Sequence, residues 1–305
     1  MLIVDNEIIT TIREVNFDFD FLNKSDSGIN PKAAEEALSN SDKIKVYNFK
    51  YKSNGNEISG IFALLNKFSE QKLPVIINNR GGNRDLGAWK KFSPYIGYTA
   101  ALVKAGYAVI MSQYSGSPNS SGQDDFGGKN IEDVLIFKKI IEQNPFLDAN
   151  KIGMLGHSRG GMMTYRSIAS VDWIKAAVSI AGMTNLKRNL ERSESHKADL
   201  GELFDVENPL ELELRSALCW PEKFCETSPL LMIHGTADWR VSPLDSLELA
   251  TELYRHKKPY RLIILEGGDH FLSEYRKLLI NNIISWFDIY LKSDASLPNL
   301  EPHGA

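Results

Sequence analysis

Six runs along the chain are apolar at nearly every position: LPVIINN (73–79), YAVIMSQ (107–113), KIGMLG (151–156), KAAVSIAG (175–182), PLLMIHG (229–235) and YRLIILEG (260–267). Continuous apolar runs of this length predict strands covered on both faces, as in a parallel sheet, rather than half-exposed strands that alternate. Ahead of them, residues 43–65 alternate around the turn signal SNGN, which predicts an antiparallel hairpin. Helical spacing fills most of the gaps. Ile131, Val134, Leu135, Phe137 and Ile141 share one broad face of a predicted helix, with Asn130 as its N-cap and Glu132 and Asp133 at the positive end of its dipole. A last helix is predicted over about 272–291, with Leu279, Ile283, Trp286, Phe287 and Tyr290 at three-to-four spacing. Parallel strands need long crossovers, so this order predicts an α/β fold: a mostly parallel central sheet with helices on both faces. In such sheets ligands bind beyond the carboxyl ends of the strands.

Composition narrows the class. With 305 residues, 43% hydrophobic and 24% charged, the chain supports one large domain with a substantial core. The expected division is an N-terminal segment over 1–42, a catalytic domain over 43–292 and a tail over 293–305. A charged stretch of about 186–226 reads as an insertion placed to form a small lid. A net charge of -4 gives no reason to expect nucleic acid or an anionic membrane as partner. No segment has the apolar length to span a bilayer, and MLIVDNEIITTIREV lacks the pattern of a leader, so a cytoplasmic protein is expected. Cys219 and Cys225 read as two ordinary thiols. Neither a Walker-type loop nor a spaced ligand set is present, so no cofactor or metal is expected.

The strand ends carry the candidate chemistry. In GHSRG, Ser158 stands between glycines at 156 and 160, after a buried strand and before a helix. A nucleophile at a sharp strand-to-helix turn needs small residues on both sides, because side chains there collide with the adjoining strand and helix. A serine hydroxyl also needs a base, and the base an orienting carboxylate. Of six histidines, His157 is expected to point away from the serine, His196, His256 and His303 to be solvated, and His234 to be a hydrogen-bonded structural residue. His270, in EGGDHFLS between the last strand and the last helix, is left as the base. Asp238, in HGTADWRV, is preferred to Asp269, whose adjacency to His270 makes it hard to reach the far ring nitrogen. The order Ser158, Asp238, His270 is that of the α/β-hydrolase fold. For the oxyanion hole, one backbone donor is expected from Arg159 and another from the stretch Arg80, Gly81 and Gly82. The side chains of Arg80 and Arg159 have two readings: they face solvent, or they pair with a substrate carboxylate. Trp89, Tyr114, Trp220 and Trp239 are candidates for the pocket wall.

These residues, together with QYSGSPNSSGQDDFGGKNIEDV, RSALCWPEKF and PLLMIHGTADWRVSP, resemble the catalytic domain of the prolyl oligopeptidase family of serine peptidases over roughly Lys43 to Leu291. The resemblance implies a serine hydrolase with Ser158 as nucleophile, Asp238 as orienting acid and His270 as base, acting on short peptides without a cofactor. The same triad serves a carboxylesterase acting on small esters, and the scaffold also occurs as a catalytically silent binding module, which the complete triad argues against. Two departures stand out. The roughly forty residues ahead of the hairpin are too few for the β-propeller of larger family members, and Arg80 occupies the place of the tyrosine that supplies an oxyanion donor in several of these peptidases.

Overall fold

The computed structural model describes residues 2–5, 7–15, 30–67 and 71–304. Each of the six apolar runs forms a strand: β4 (Leu73–Asn79), β5 (Ala108–Ser112), β6 (Leu147–His157), β7 (Ile174–Ile180), β8 (Leu230–Gly235) and β9 (Tyr260–Leu265). The alternating front segment forms β2 (Ile44–Ser53) and β3 (Asn56–Leu65), paired antiparallel in register from Ile44 opposite Leu65 to Ser53 opposite Asn56. Their two-residue turn has Asn54 at φ 47° and Gly55 at φ 76°, the left-handed pair that matches the natural twist of a hairpin. Sequence patterning did not disclose β1 (Ile9–Glu14), which pairs antiparallel with β2 and starts the sheet.

The nine strands run in the order β1-β2-β3-β5-β4-β6-β7-β8-β9, parallel from β5 to β9. Alternate side chains of one strand enter opposite layers. Val75 and Ile77 join the cluster containing Met162, Met163 and Ile168 of α5 (Arg159–Ser170) and Leu249 and Leu253 of α9 (Pro243–Arg255). Ile76 joins the other, with Leu102 and Val103 of α2 (Gly97–Lys104) and Ile283 and Phe287 of α10 (Arg276–Phe287). Helices therefore cover both faces, and each buried aliphatic side chain contributes about 1.5–3 kcal/mol.

Two helices differ from their sequence patterns. The one expected from Ile131 is broken into α3 (Glu132–Leu135) and α4 (Phe137–Glu142), behind a 3₁₀ turn at 129–131. Asn130 is not its cap: Asn130 is buried, and its Oδ1 accepts from the Asp125 N–H and from Arg159 Nη2. The last helix starts at 276 after a 3₁₀ turn, and its final turn widens to a π-helix over 288–292. Between β7 and β8 the charged insertion folds into α6 (Leu186–Glu191), α7 (Glu194–Gly201) and α8 (Pro209–Leu214). It is anchored from below by Arg215, whose buried guanidinium donates to the carbonyls of Phe126 and Asp125 at 3.0 and 2.7 Å. No helix among the described residues is long and apolar enough to cross a membrane.

Candidate active site

Ser158 stands between the end of β6 and the first residue of α5 with φ 58° and ψ -122°, a conformation strained for a side-chain-bearing residue. The flanking glycines allow the turn by subtraction. A Cβ on Gly156 would overlap the Gly160 carbonyl, and a Cβ on Gly160 would overlap the carbonyl of Asn79 at the end of β4. The Ser158 N–H donates to Ile180 O of β7 at 2.9 Å, which fixes the turn to the neighbouring strand.

Asp238, in the turn after β8, is fully used. Its Oδ1 accepts from the N–H groups of Arg240 and Val241 at 2.8 and 2.9 Å, and its Oδ2 lies 2.7 Å from His270 Nδ1 and 3.1 Å from His234 Nε2. Burial would raise its pKa, but these hydrogen bonds and the His270 ring hold the carboxyl well below the usual range. Asp269 turns back on its own chain, accepting from the Phe271 N–H at 2.9 Å, and makes no bond to the His270 ring. His270, with its Nδ1 against Asp238, lines a cavity that Ser158, Gly81 and Gly82 also line.

Arg159 opens α5, so its N–H has no carbonyl one turn back to bond and points out of the helix. Gly81 abuts the elbow: a Cβ there would lie 3.3 Å from Ser158 Cβ and 3.1 Å from His157 O. Gly82, at φ 67°, turns the loop against the backbone of Leu86. The backbone of Arg80 is held by Tyr114, whose hydroxyl donates to its carbonyl at 3.2 Å.

The side chains of both arginines overturn the expectation that they face solvent. Arg80 is 2% exposed and donates to the carbonyls of Gln113, Leu86 and Arg84, a cross-brace under the loop. Burial and the neighbouring Arg159 charge lower its pKa to about 10. Arg159 is 1% exposed and grips Asp124 with two bonds of 2.8 and 2.6 Å while a third holds Gly82 O at 3.0 Å. Burial alone would raise Asp124, but the guanidinium keeps it at about 2. Neither guanidinium faces solvent; each clamps the polar groups around it, because a buried charge needs a partner.

Histidines also depart from expectation. The His157 ring packs 4.8 Å from that of His270, and its Nε2 lies 2.7 Å from His270 O. It therefore faces the site, and burial with the nearby His270 pushes its pKa down to about 4. His196 is half-buried and lines a second cavity of about 620 Å³, which shares Ser158, Gly82, Leu86 and Arg240 with the first. His256 and His303 are exposed, and His234 is buried with Nδ1 2.7 Å from Ser246 Oγ. Of the four aromatics, Trp239 and Trp89 line the cavities, Tyr114 is buried beneath the two arginines, and Trp220 lies in a different depression beside α8.

Residues 94–294 match the prolyl oligopeptidase family. The chain belongs to that family. Members and relatives bracket it in sequence: "Putative esterase YitV" of Bacillus subtilis (strain 168) is 30% identical over 171 residues, which are 53% of this chain and 66% of that protein. Dipeptidyl-peptidase 5 of Porphyromonas gingivalis is 25% identical over 236 residues, 73% of this chain and 34% of that one. In fold, the Pyrococcus horikoshii acylaminoacyl peptidase superposes with a TM-score of 0.72 at 22% identity, over 84% of this chain and 44% of that chain. The chain thus spans about a third of the dipeptidyl-peptidase and under half of the acylaminoacyl peptidase. The described residues of this family member form the nine-stranded sheet, its covering helices and the helical insertion after β7, with no propeller among them.

Proposed function

We propose that this family member is a serine peptidase that cleaves short peptides through an acyl-enzyme on Ser158, with His270 as general base and Asp238 as its orienting acid. The observation that carries the reading is the buried 2.7 Å contact of Asp238 Oδ2 with His270 Nδ1, in a cavity whose wall includes the strained Ser158. Ser158 Oγ attacks the scissile carbonyl carbon while His270 Nε2 takes its proton, and the resulting imidazolium is stabilised by Asp238. The tetrahedral oxyanion accepts hydrogen bonds from the Arg159 N–H and from the backbone of the Arg80, Gly81 and Gly82 loop. His270 then hands its proton to the departing amine, leaving the acyl-enzyme, and a water activated by the same imidazole releases the acid.

A fluorophosphonate probe tests the machinery. Stoichiometric labelling at Ser158 that disappears in Ser158→Ala, with the fold retained, is expected; labelling of a different serine overturns the assignment. The relation to YitV favours a second reading, cleavage of small carboxylic esters by the same residues. A library of short peptides and aminoacyl arylamides separates the two: if all remain intact while unactivated alkyl esters turn over, the ester reading replaces the peptide one.

A further inference from the structure

The two cavities that meet at Ser158 differ in chemistry. The one containing His270 must receive the leaving group, because the imidazolium has to reach the departing atom with its proton. The acyl part of the substrate then extends into the adjoining cavity of about 620 Å³, bounded by Phe126, Met183 and Trp239. Three arginines stand in the wall of that cavity: Arg159 at the elbow, Arg192 from the end of α6, and Arg240 from the turn after Asp238, which also borders the His270 cavity.

Charge pairing separates the last two from the other arginines nearby. Arg84, Arg159, Arg188 and Arg215 each have a carboxylate partner. Arg188, one turn before Arg192 on the same segment, is neutralised by both Asp245 and Glu248. Arg192 and Arg240 have no such ion pair among the described residues. Arg192 is held instead by one bond from Nη2 to Trp239 O at 3.2 Å, and Arg240 lies over the Trp239 and Phe271 rings at 4.6 and 5.6 Å. Each fork is positioned while keeping free donors. The one carboxylate in the cavity wall, Asp199, accepts from Asn83 Nδ2 at 2.7 Å.

Resting on the acyl-enzyme reading above, we propose that the acyl side of the substrate carries an anionic group, a carboxylate held by Arg192 and Arg240. A planar carboxylate fits a guanidinium fork, and a charge-assisted bond is worth about tenfold or more in kcat/KM.

The test compares two isosteric substrates that differ in charge alone, N-acetyl-Glu and N-acetyl-Gln 4-nitroanilide, together with the aryl esters of the same two acyl groups. The wild type should favour the Glu member by about tenfold at low salt, and the preference should shrink as salt rises. The preference should approach one in Arg192→Ala combined with Arg240→Ala, and reverse in Arg192→Glu. Equal rates for the Glu and Gln members, or a preference that salt leaves intact, overturns the inference. If both anilides resist cleavage while the ester pair shows the preference, the charge assignment stands and the peptide reading falls. Should the variants fail to fold, the salt titration of the wild type still decides.

Discussion

Replacing Asp124 by asparagine removes one charge and little volume, yet it strands a guanidinium in the core. Both side chains of the Arg159–Asp124 pair are 1% exposed. Asp124 also receives the N–H groups of Arg84 and Phe126 at 2.8 and 2.9 Å. An asparagine turns an amide NH₂ toward one arm of the Arg159 fork, so one of the two short bonds becomes a repulsion between donors. Two routes give the magnitude. Removing one partner of a buried pair costs about 3–5 kcal/mol. Linkage from the ordinary carboxyl value of 3.8 to about 2 gives about 2.5 kcal/mol for ionisation alone. The agreement places the loss near 3 kcal/mol, or a fall of about 6–12 °C in Tm. Because the folded pKa is depressed, this stabilisation is complete above about pH 4 and disappears as the pH falls toward 2, where wild type and Asp124→Asn converge. Urea titrations of Asp124→Leu, Arg159→Met and the double variant complete the cycle. The double variant should be more stable than either single one, with a coupling of at least about 2 kcal/mol. Additive losses, or a loss below about 1 kcal/mol in Asp124→Asn, refute the clamp.

Gly160→Ala should lose probe labelling at Ser158 and destabilise by about 1–3 kcal/mol or more, since its Cβ meets the Asn79 carbonyl, while Gly55→Ala at the open hairpin turn should cost about 1–2 kcal/mol and label normally; equal labelling of both rejects the steric account of the elbow. His157 has a folded pKa of about 4 against 6.5, so as the pH drops from 6.5 the unfolded chain gains a proton that the folded one refuses. Stability therefore falls by up to about 3 kcal/mol between pH 6.5 and 4, and His157→Gln should flatten that slope in urea midpoints measured at pH 7 and 4.5, whereas parallel slopes reject it.

The strands were legible because a strand buried on both faces has no polar positions to spare, which is why Val75, Ile76 and Ile77 are apolar although they enter two different layers. The elbow was legible because its glycines stand at fixed spacing about the serine, between an apolar run and a helical pattern, even though the collision that requires Gly160 is with the distant Asn79. What escaped depended on partners distant in sequence. Nothing local marks Asp124 as the counter-ion of Arg159, or Asn130 as their third member rather than a helix cap. A physical clue was available: an arginine in the first turn of an otherwise buried helix demands a carboxylate, and QDDFGG offers one. His157 was misplaced because alternation along the strand was extended into a turn where φ is positive and alternation no longer holds.

The sheet order also carries a consequence for synthesis. Strands β1, β2 and β3 pair with their sequence neighbours, so this meander can close once residue 65 is free of the ribosome. Ser158 is fixed later, when Ile180 of β7 arrives to accept its N–H. Asp238 and His270 come later still, and Asp238 reaches its place only after β8 has found β7. At about 5–20 residues per second, the nascent chain therefore spends several seconds with a formed elbow and without His270, the base proposed above. On the mechanism proposed above, the elbow alone does not suffice, and hydrolytic competence waits until residue 270 has been made and placed.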